Sequence, residues 1–108
     1  MVTEVARFYA SPGQGDAFES GIKEGLKVIQ RQAVHRRSCL MRGVENPDHF
    51  TLLVVWDSLE GKMAFRNGPE FPAWRKPFGD LMAQPPESAH WTVLLDTADS
   101  DTTVAPVS

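Results

Sequence analysis

The feature that most constrains this chain is an apolar stretch near its middle, residues 50–56, with the sequence FTLLVVW. A run of that length is too short for a buried helix, and its β-branched and aromatic residues favour a strand. Side chains on both alternating faces are apolar, whereas a strand with one face in water would alternate with polar residues. We therefore predict a strand covered on both sides. The chain's own helices can supply one cover, and a second copy of the protein is the simplest source of the other.

A helix is predicted to begin directly after this strand. Asp57 or Ser58 can accept hydrogen bonds from the free N–H groups of a helix N-terminus. Glu60 lies where its side chain can reach back towards the cap. The strand should therefore end and the helix begin within two residues.

Length and charge limit the classes of protein to which the chain can belong. Its 108 residues suffice for one domain with a modest core, and 11 basic residues against 14 acidic ones leave no basic surface for nucleic acid. No apolar run approaches the ~20 residues of a membrane span, and no signal-peptide pattern opens the chain. Cys39 is the single cysteine, which excludes a disulfide framework and a thiolate metal cluster. We expect a soluble cytoplasmic protein without nucleic-acid or membrane partners.

The remaining patterns predict the order β-α-β-β-α-β with a split second helix. The predicted strands span residues 2–10, 35–44, 50–56 and 89–95, and the predicted helical segments span 16–32, 59–67 and 70–83. Pro77 is expected to kink or divide the last helical segment. The predicted fold class is α+β, with a ferredoxin-like domain over residues 1–95. Residues 96–108 are small and polar and are expected to form a disordered tail.

Few residues point to a specific chemistry. The sequence contains no G-x-G-x-x-G, P-loop, HExxH, CxxC or G-x-S-x-G pattern, so the common motifs for nucleotides, zinc and acyl transfer are absent. His35, His49 and His90 are widely separated and follow no metal-ligand spacing. Cys39 lies in a predicted strand, where a lone cysteine is more often a small buried hydrophobe than a nucleophile. We predict that the protein binds no metal and needs no cofactor.

The aromatic residues are more informative. Most of them fall on elements that should face the space between the sheet and the helices, and the simplest interpretation is a hydrophobic core. The alternative is an aromatic-walled pocket for a flat organic molecule. Gly21 and Gly25 on the first helix would allow close approach to the sheet or leave room for such a ligand. The candidate ligand contacts are Phe8, Trp56, Phe65, Trp74 and Phe78, and Phe71 and Trp91 are predicted to face the same space.

Several short motifs, in order along the chain, resemble one protein family. They are VVWDSLE at residues 54–60, FRNGPEF at 65–71 followed by Trp74 and Arg75, GVENPDHF at 43–50, and the closing His90. Over about residues 3–95 the chain is similar to the antibiotic biosynthesis monooxygenases, a family of dimeric α+β barrels. The resemblance implies a homodimer in which two sheets pack into one barrel. It also implies a pocket between each sheet and its own helices.

The family that the chain resembles has no single activity. Members that resemble anthrone oxygenases oxidise polycyclic phenols with O2 and need no metal or flavin, because the substrate carbanion itself reduces oxygen. Others oxidise quinols, degrade heme, or catalyse cyclisations and isomerisations. Heme-degrading members use an Asn, a Trp and a His where this chain has Ala6, Phe65 and Arg75, so the resemblance does not extend to heme degradation. Lys62 stands near the position at which many members carry a histidine.

Two classes of function remain open from the sequence. In the first, the protein is a cofactor-independent monooxygenase acting on a phenolic, quinol-type or polyketide-like aromatic molecule. His90 or His49 would be the base, since a neutral imidazole can accept a phenol proton. Arg66 or Arg75, at the mouth of the pocket, would stabilise the resulting anion. In the second, a cyclase, an isomerase or a binding protein uses the same pocket for a similar small aromatic molecule without oxidising it.

Overall fold

The computed structural model describes residues 1–97, in which one four-stranded sheet carries helices on one face. The elements in chain order are β1 (Val2–Tyr9), α1 (Gly15–Gln30), β2 (His35–Arg42), β3 (His49–Trp56), α2 (Leu59–Arg66), α3 (Phe71–Arg75) and β4 (Glu87–Trp91), with a 3-10 turn at Gly79–Leu81. Neighbouring strands in the order β2-β3-β1-β4 are antiparallel. The ferredoxin-like prediction is confirmed, and the sheet of a single chain is open rather than closed. No described helix is long and apolar enough to cross a bilayer.

Strand β3 is central because it pairs with β1 on one side and β2 on the other. Its alternate residues beneath the helices are at most 2% exposed, namely Phe50, Leu52, Val54 and Trp56. On the other face Thr51, Leu53 and Val55 are only partly covered. The alternation of side chains along a strand thus divides β3 into a core face and an open face. Within the described chain, only the core face receives the cover that the sequence predicts.

The junction after β3 uses one of the two candidate caps. Ser58 Oγ accepts a hydrogen bond from the N–H of Gly61 at 3.0 Å, so Ser58 is the N-cap of α2. The carboxylate of Asp57 instead accepts a hydrogen bond from the guanidinium of Arg36 on β2. The tight strand-to-helix connection directs α2 back over the buried face of the sheet, where Phe65 joins the core.

The segment between α2 and β4 departs most from the predicted boundaries. The helix predicted over residues 70–83 ends at Arg75, because Pro77 lacks an N–H and its ring clashes with the preceding turn. After this break the chain forms the 3-10 turn at Gly79–Leu81, which precedes β4. Strand β4 spans Glu87–Trp91 rather than the predicted 89–95, because its partner β1 begins at Val2 and Thr3 already pairs with Trp91. Residues 98–108, most of the predicted tail, lie outside the described residues.

Trp91 does not face the helices as predicted. It pairs with Thr3, whereas the preceding residue, His90, pairs with Glu4 and lies on the opposite face of the sheet. Trp91 is 58% exposed and lies on the open face, the same face as Leu53 and Val55. The open face therefore carries apolar side chains that the described chain covers only in part.

Two glycines within α1, Gly21 and Gly25, serve helix packing. A Cβ on Gly25 would lie closer than 3.0 Å to the backbone oxygen of Trp74, and one on Gly21 would lie equally close to that of Pro77. The two glycines therefore allow α1 to lie close to α3 and to the turn after it, rather than close to the sheet. This contact holds α3 against α1 and so places Trp74 over the sheet.

We predict that Gly25→Ala destabilises the fold. Overpacking against a backbone atom costs about 1–3 kcal/mol, which outweighs the ~1 kcal/mol that alanine gains over glycine in a helix. Urea unfolding followed by circular dichroism should show a lower free energy of unfolding. Gly79→Ala is the matched control, because a Cβ there meets no atom within 4 Å. An unchanged or raised stability of Gly25→Ala would contradict the packing role.

Candidate functional site

A cavity of about 350 Å³ lies between the helices and the core face of the sheet. Its volume is at the lower end of the range for small-molecule sites, about 300–1,000 Å³. Residues from β1, β3, α1, α2, α3 and the segment leading into β4 contribute to its walls. The aromatic lining residues are Phe8, Trp56, Phe65, Phe71 and Trp74, and the polar and charged ones are Glu4, Lys62, Arg66, Arg75 and Ser88.

The aromatic lining residues form two sets of ring contacts. The ring centroids of Trp56 and Phe65 are 5.7 Å apart, and those of Phe65 and Phe71 are also 5.7 Å apart. Phe8 meets Trp74 edge to face at 6.2 Å. The structure thus brings together four of the five predicted ligand contacts, Phe8, Trp56, Phe65 and Trp74. Their role in binding a ligand stays a prediction.

The fifth predicted contact, Phe78, lies behind the wall. Its side chain is fully buried and packs against Phe8, Phe18 and Trp74, with centroid distances of 5.7, 5.4 and 4.7 Å. It is not among the residues that line the cavity. Phe78 is therefore a core residue that packs against Phe8 and Trp74 from behind, as the core interpretation predicts. Phe8 and Trp74 themselves line the cavity, as the pocket interpretation predicts.

Glu4 is the polar centre of the cavity, and the sequence analysis did not identify it. Its Oε1 accepts a hydrogen bond from Trp56 Nε1 at 3.1 Å, and its Oε2 accepts one from Ser88 Oγ at 2.7 Å. Lys62 Nζ lies 3.7 Å from Oε2, and Lys62 as a whole is only 9% exposed. One signal was available in the sequence, because Glu4 shares its strand face with the apolar Ala6 and Phe8.

Both predicted arginines line the cavity and lie against the same ring. The guanidinium carbon of Arg66 is 4.5 Å from the centroid of Phe71, and that of Arg75 is 5.2 Å from it. Within the described chain neither forms an ion pair, since Glu70 accepts hydrogen bonds from Arg31 and Gln32 instead. Arg75 Nε is buried without a hydrogen-bond partner among the described residues. Burial, and secondarily the charge of Arg66, lower the pKa of Arg75.

Neither of the predicted histidine bases lines the cavity. His90 pairs with Glu4 across β1 and β4, so it shares the sheet face of Glu4, but it is exposed and outside the lining. His49 is exposed on the opposite sheet face, with its ring edge-on to Tyr9 at 4.8 Å and its Nε2 3.1 Å from Asn46 Nδ2. The structure therefore brings the predicted cations together at the cavity but not the predicted bases.

The described residues include no group of three or more His, Cys, Asp or Glu side chains placed to hold a metal ion. Cys39 is a free thiol of intermediate exposure on β2, where it pairs with Leu53. It lies outside the lining of the cavity described above. The polar groups that line the cavity are a carboxylate, a hydroxyl, an ammonium and two guanidinium groups.

His35 packs against the far end of the cavity wall and should make stability depend on pH. Its ring lies edge-on to Trp56 at 6.4 Å, its Nε2 is buried without a partner among the described residues, and burial lowers its pKa. The unfolded chain therefore takes up a proton at His35 before the folded chain does. Stability contributed by neutral His35 is complete above about pH 6.5 and falls as the pH drops below that value.

We predict that His35→Gln reduces the loss of stability between pH 7 and pH 5. Chemical denaturation at several pH values should show a shallower slope than in the wild type over that interval. His49→Gln, on an exposed histidine, is the control and should keep the wild-type slope. Equal slopes for wild type and His35→Gln would show that His35 is not the group responsible.

Comparisons with known proteins agree with the fold described above. The sequence model of the antibiotic biosynthesis monooxygenase family matches residues 1–77. A solved structure from Bordetella bronchiseptica, assigned provisionally as an antibiotic biosynthesis monooxygenase, is 30% identical to this chain with a TM-score of 0.81. The match covers 87% of this chain and 97% of that one. No curated protein matches the chain significantly.

Two more distant structures share the fold. SnoaB from Streptomyces nogalater, a cofactor-independent oxygenase, is 21% identical with a TM-score of 0.79, and the match covers 91% of this chain and 97% of that one. Rv0793 from Mycobacterium tuberculosis is 18% identical with a TM-score of 0.73, over 90% of this chain and 98% of that one. At these identities the similarity establishes the common architecture.

Proposed function

The chain belongs to the antibiotic biosynthesis monooxygenase family, and we propose that it is a cofactor-independent monooxygenase acting on a phenolic or quinol-type aromatic molecule of polyketide-like character. One observation carries this proposal: an aromatic-walled cavity holds a carboxylate and two arginines that make no ion pair in the described chain. The fold shared with SnoaB, itself a cofactor-independent oxygenase, supports it.

The proposed reaction needs only a base, a stabilised anion and molecular oxygen. Removal of a proton from the phenol or its tautomer leaves an electron-rich anion, which transfers one electron to O2 to give a substrate radical and superoxide. Their recombination forms a carbon–oxygen bond and leaves a peroxide anion, which takes back the proton from the base. Loss of water from the resulting hydroperoxide leaves a new carbonyl. In sum, a CH2 group and O2 become a carbonyl and water, with the substrate as the only reductant.

Within this proposal Glu4 is the proton acceptor. Each of its carboxylate oxygens accepts one hydrogen bond, from Trp56 or Ser88, and so keeps lone pairs for a substrate hydroxyl. Those two bonds fix the carboxylate towards the cavity, as general base catalysis requires. Arg66 and Arg75 stabilise the anion that forms. His90, which lies opposite Glu4 on β4, stays the alternative base.

The second candidate function is non-oxidative. A carboxylate base and a guanidinium pair around an aromatic slot would equally serve a cyclase or an isomerase. Proton removal by the base and stabilisation of the anion by the guanidinium groups do not require oxygen. A protein that only binds the ligand would use the same walls. One measurement distinguishes these functions. Turnover that continues under argon excludes the oxygenase, and consumption of O2 excludes both the cyclase or isomerase and the protein that only binds the ligand.

We predict that the base assignment separates Glu4→Gln from His90→Ala in an oxygen-electrode assay with phenolic and quinol substrates. Glu4→Gln keeps the acceptor for Trp56 but removes the base, and should lower turnover by about 10²-fold or more. His90→Ala, at an exposed position, should stay within about threefold of the wild type. The reverse result, with loss in His90→Ala and retention in Glu4→Gln, would make His90 the base. Thermal melting of both variants verifies that each is folded.

We also propose that the protein is a homodimer whose open sheet faces pack against each other. The face opposite the helices carries Leu53 and Val55, partly covered in one chain, and the exposed Trp91. A contiguous apolar surface of this kind on a small domain marks an interaction site. A second copy of the same face covers it symmetrically, as in other two-fold assemblies.

Val55→Asp should therefore prevent dimerisation, because a carboxylate buried without a partner at the interface is strongly disfavoured. Light scattering at micromolar concentration should give twice the mass of one chain for the wild type and a single-chain mass for the variant. Ser20→Asp, which adds the same charge on the exposed side of α1, should leave the mass unchanged. A wild-type protein that stays monomeric contradicts the dimer.

A further inference from the structure

We infer that the cavity selects aromatic ligands that carry a carboxylate group, which Arg75 binds together with Arg66. This inference rests on the proposed function only in taking the cavity as the ligand site, and it is independent of whether the ligand is oxidised. It adds a chemical group to the ligand: the aromatic or phenolic ring system also carries a carboxylate.

The first argument is the balance of charge around the cavity. Three cationic side chains and one carboxylate line it. Lys62 is matched by Glu4, with Nζ and Oε2 separated by 3.7 Å. Arg66 and Arg75 have no carboxylate partner among the described residues, so two positive charges face the cavity uncompensated. A ligand with a negative group supplies the missing charge.

The second argument is the state of Arg75 itself. Its side chain is partly buried, its Nε has no hydrogen-bond partner among the described residues, and the charge of Arg66 acts against it. A buried donor without an acceptor costs free energy, and the cost is larger for a charged group. An acceptor from the ligand removes that cost. The unliganded site is therefore arranged for a ligand that brings its own anionic oxygens.

The third argument is shape. A guanidinium is a planar fork whose parallel N–H groups match the two oxygens of a carboxylate. Phe71 holds both guanidinium groups over one ring, at 4.5 Å for Arg66 and 5.2 Å for Arg75, which limits their rotation before a ligand arrives. The remaining wall is aromatic and suits a flat ring system attached to the acid. The geometry thus separates the ligand into an anionic end at the arginines and an aromatic body.

The test compares two probes of the same shape that differ in charge, naphthoate and naphthamide. Isothermal titration calorimetry with the wild type should show naphthoate binding at least about tenfold more tightly, since hydrogen bonds to charged groups contribute more than neutral ones. Arg75→Gln should weaken naphthoate binding by about tenfold or more and leave naphthamide within about twofold. Lys76→Gln removes an equal charge from an exposed neighbour outside the cavity lining and should change neither affinity beyond about twofold.

The outcomes separate this inference from the proposed function. Equal affinity for the two probes in the wild type, or binding of neither probe at millimolar concentration, overturns it. Equal loss of naphthoate affinity in Arg75→Gln and Lys76→Gln overturns it too, because the effect would then be general electrostatics. Should Arg75→Gln fail to fold, Arg66→Gln at an exposed position must still weaken naphthoate selectively. A carboxylate preference without oxygen consumption supports the inference while the oxygenase proposal fails, and oxygen consumption without the preference does the reverse.

Discussion

Core and candidate site depend on one constraint, the burial of a single face of β3 beneath the helices. That face ends in Trp56, whose side chain is 1% exposed and whose indole N–H needs an acceptor when it is buried. Glu4 on the neighbouring strand provides the acceptor. Because Glu4 pairs with Val54, a residue of the same buried face, the register that assembles the core also places a carboxylate on the cavity wall. The site is an extension of the core rather than an addition to it.

The cavity separates compensated charge from uncompensated charge. Glu4 is surrounded by the donors of Trp56, Ser88 and Lys62, so its burial is offset within the protein. The guanidinium groups of Arg66 and Arg75 lie over the ring of Phe71 and form no ion pair within the described chain. A folded domain tolerates such a region because its stability is set by the rest of the core, and functional sites are where this imbalance accumulates.

Aromatic residues show where sequence periodicity is a good guide to the site and where it fails. Phe8 and Trp56 were placed on the correct face by strand alternation, and Phe65 by its position on a short helix. Phe78 shares a helical stripe with Trp74 only if the helix is continuous, and the break at Pro77 turns Phe78 into the core against Phe18 instead. Periodicity applies only within an unbroken element, so positions beyond a break cannot be placed by it.

The sequence by itself determined the elements, their order and the division of β3 into two alternating faces, because the side a residue faces depends only on its position within its own strand or helix. Only the tertiary structure decided the site. Glu4 meets Trp56 across 52 residues and Ser88 across 84, contacts that exist because β1 lies between β3 and β4. The same strand order leaves His90 exposed on an edge strand. Which charged groups become partners depends on which strands become neighbours in the sheet. Local sequence patterns do not specify that strand order.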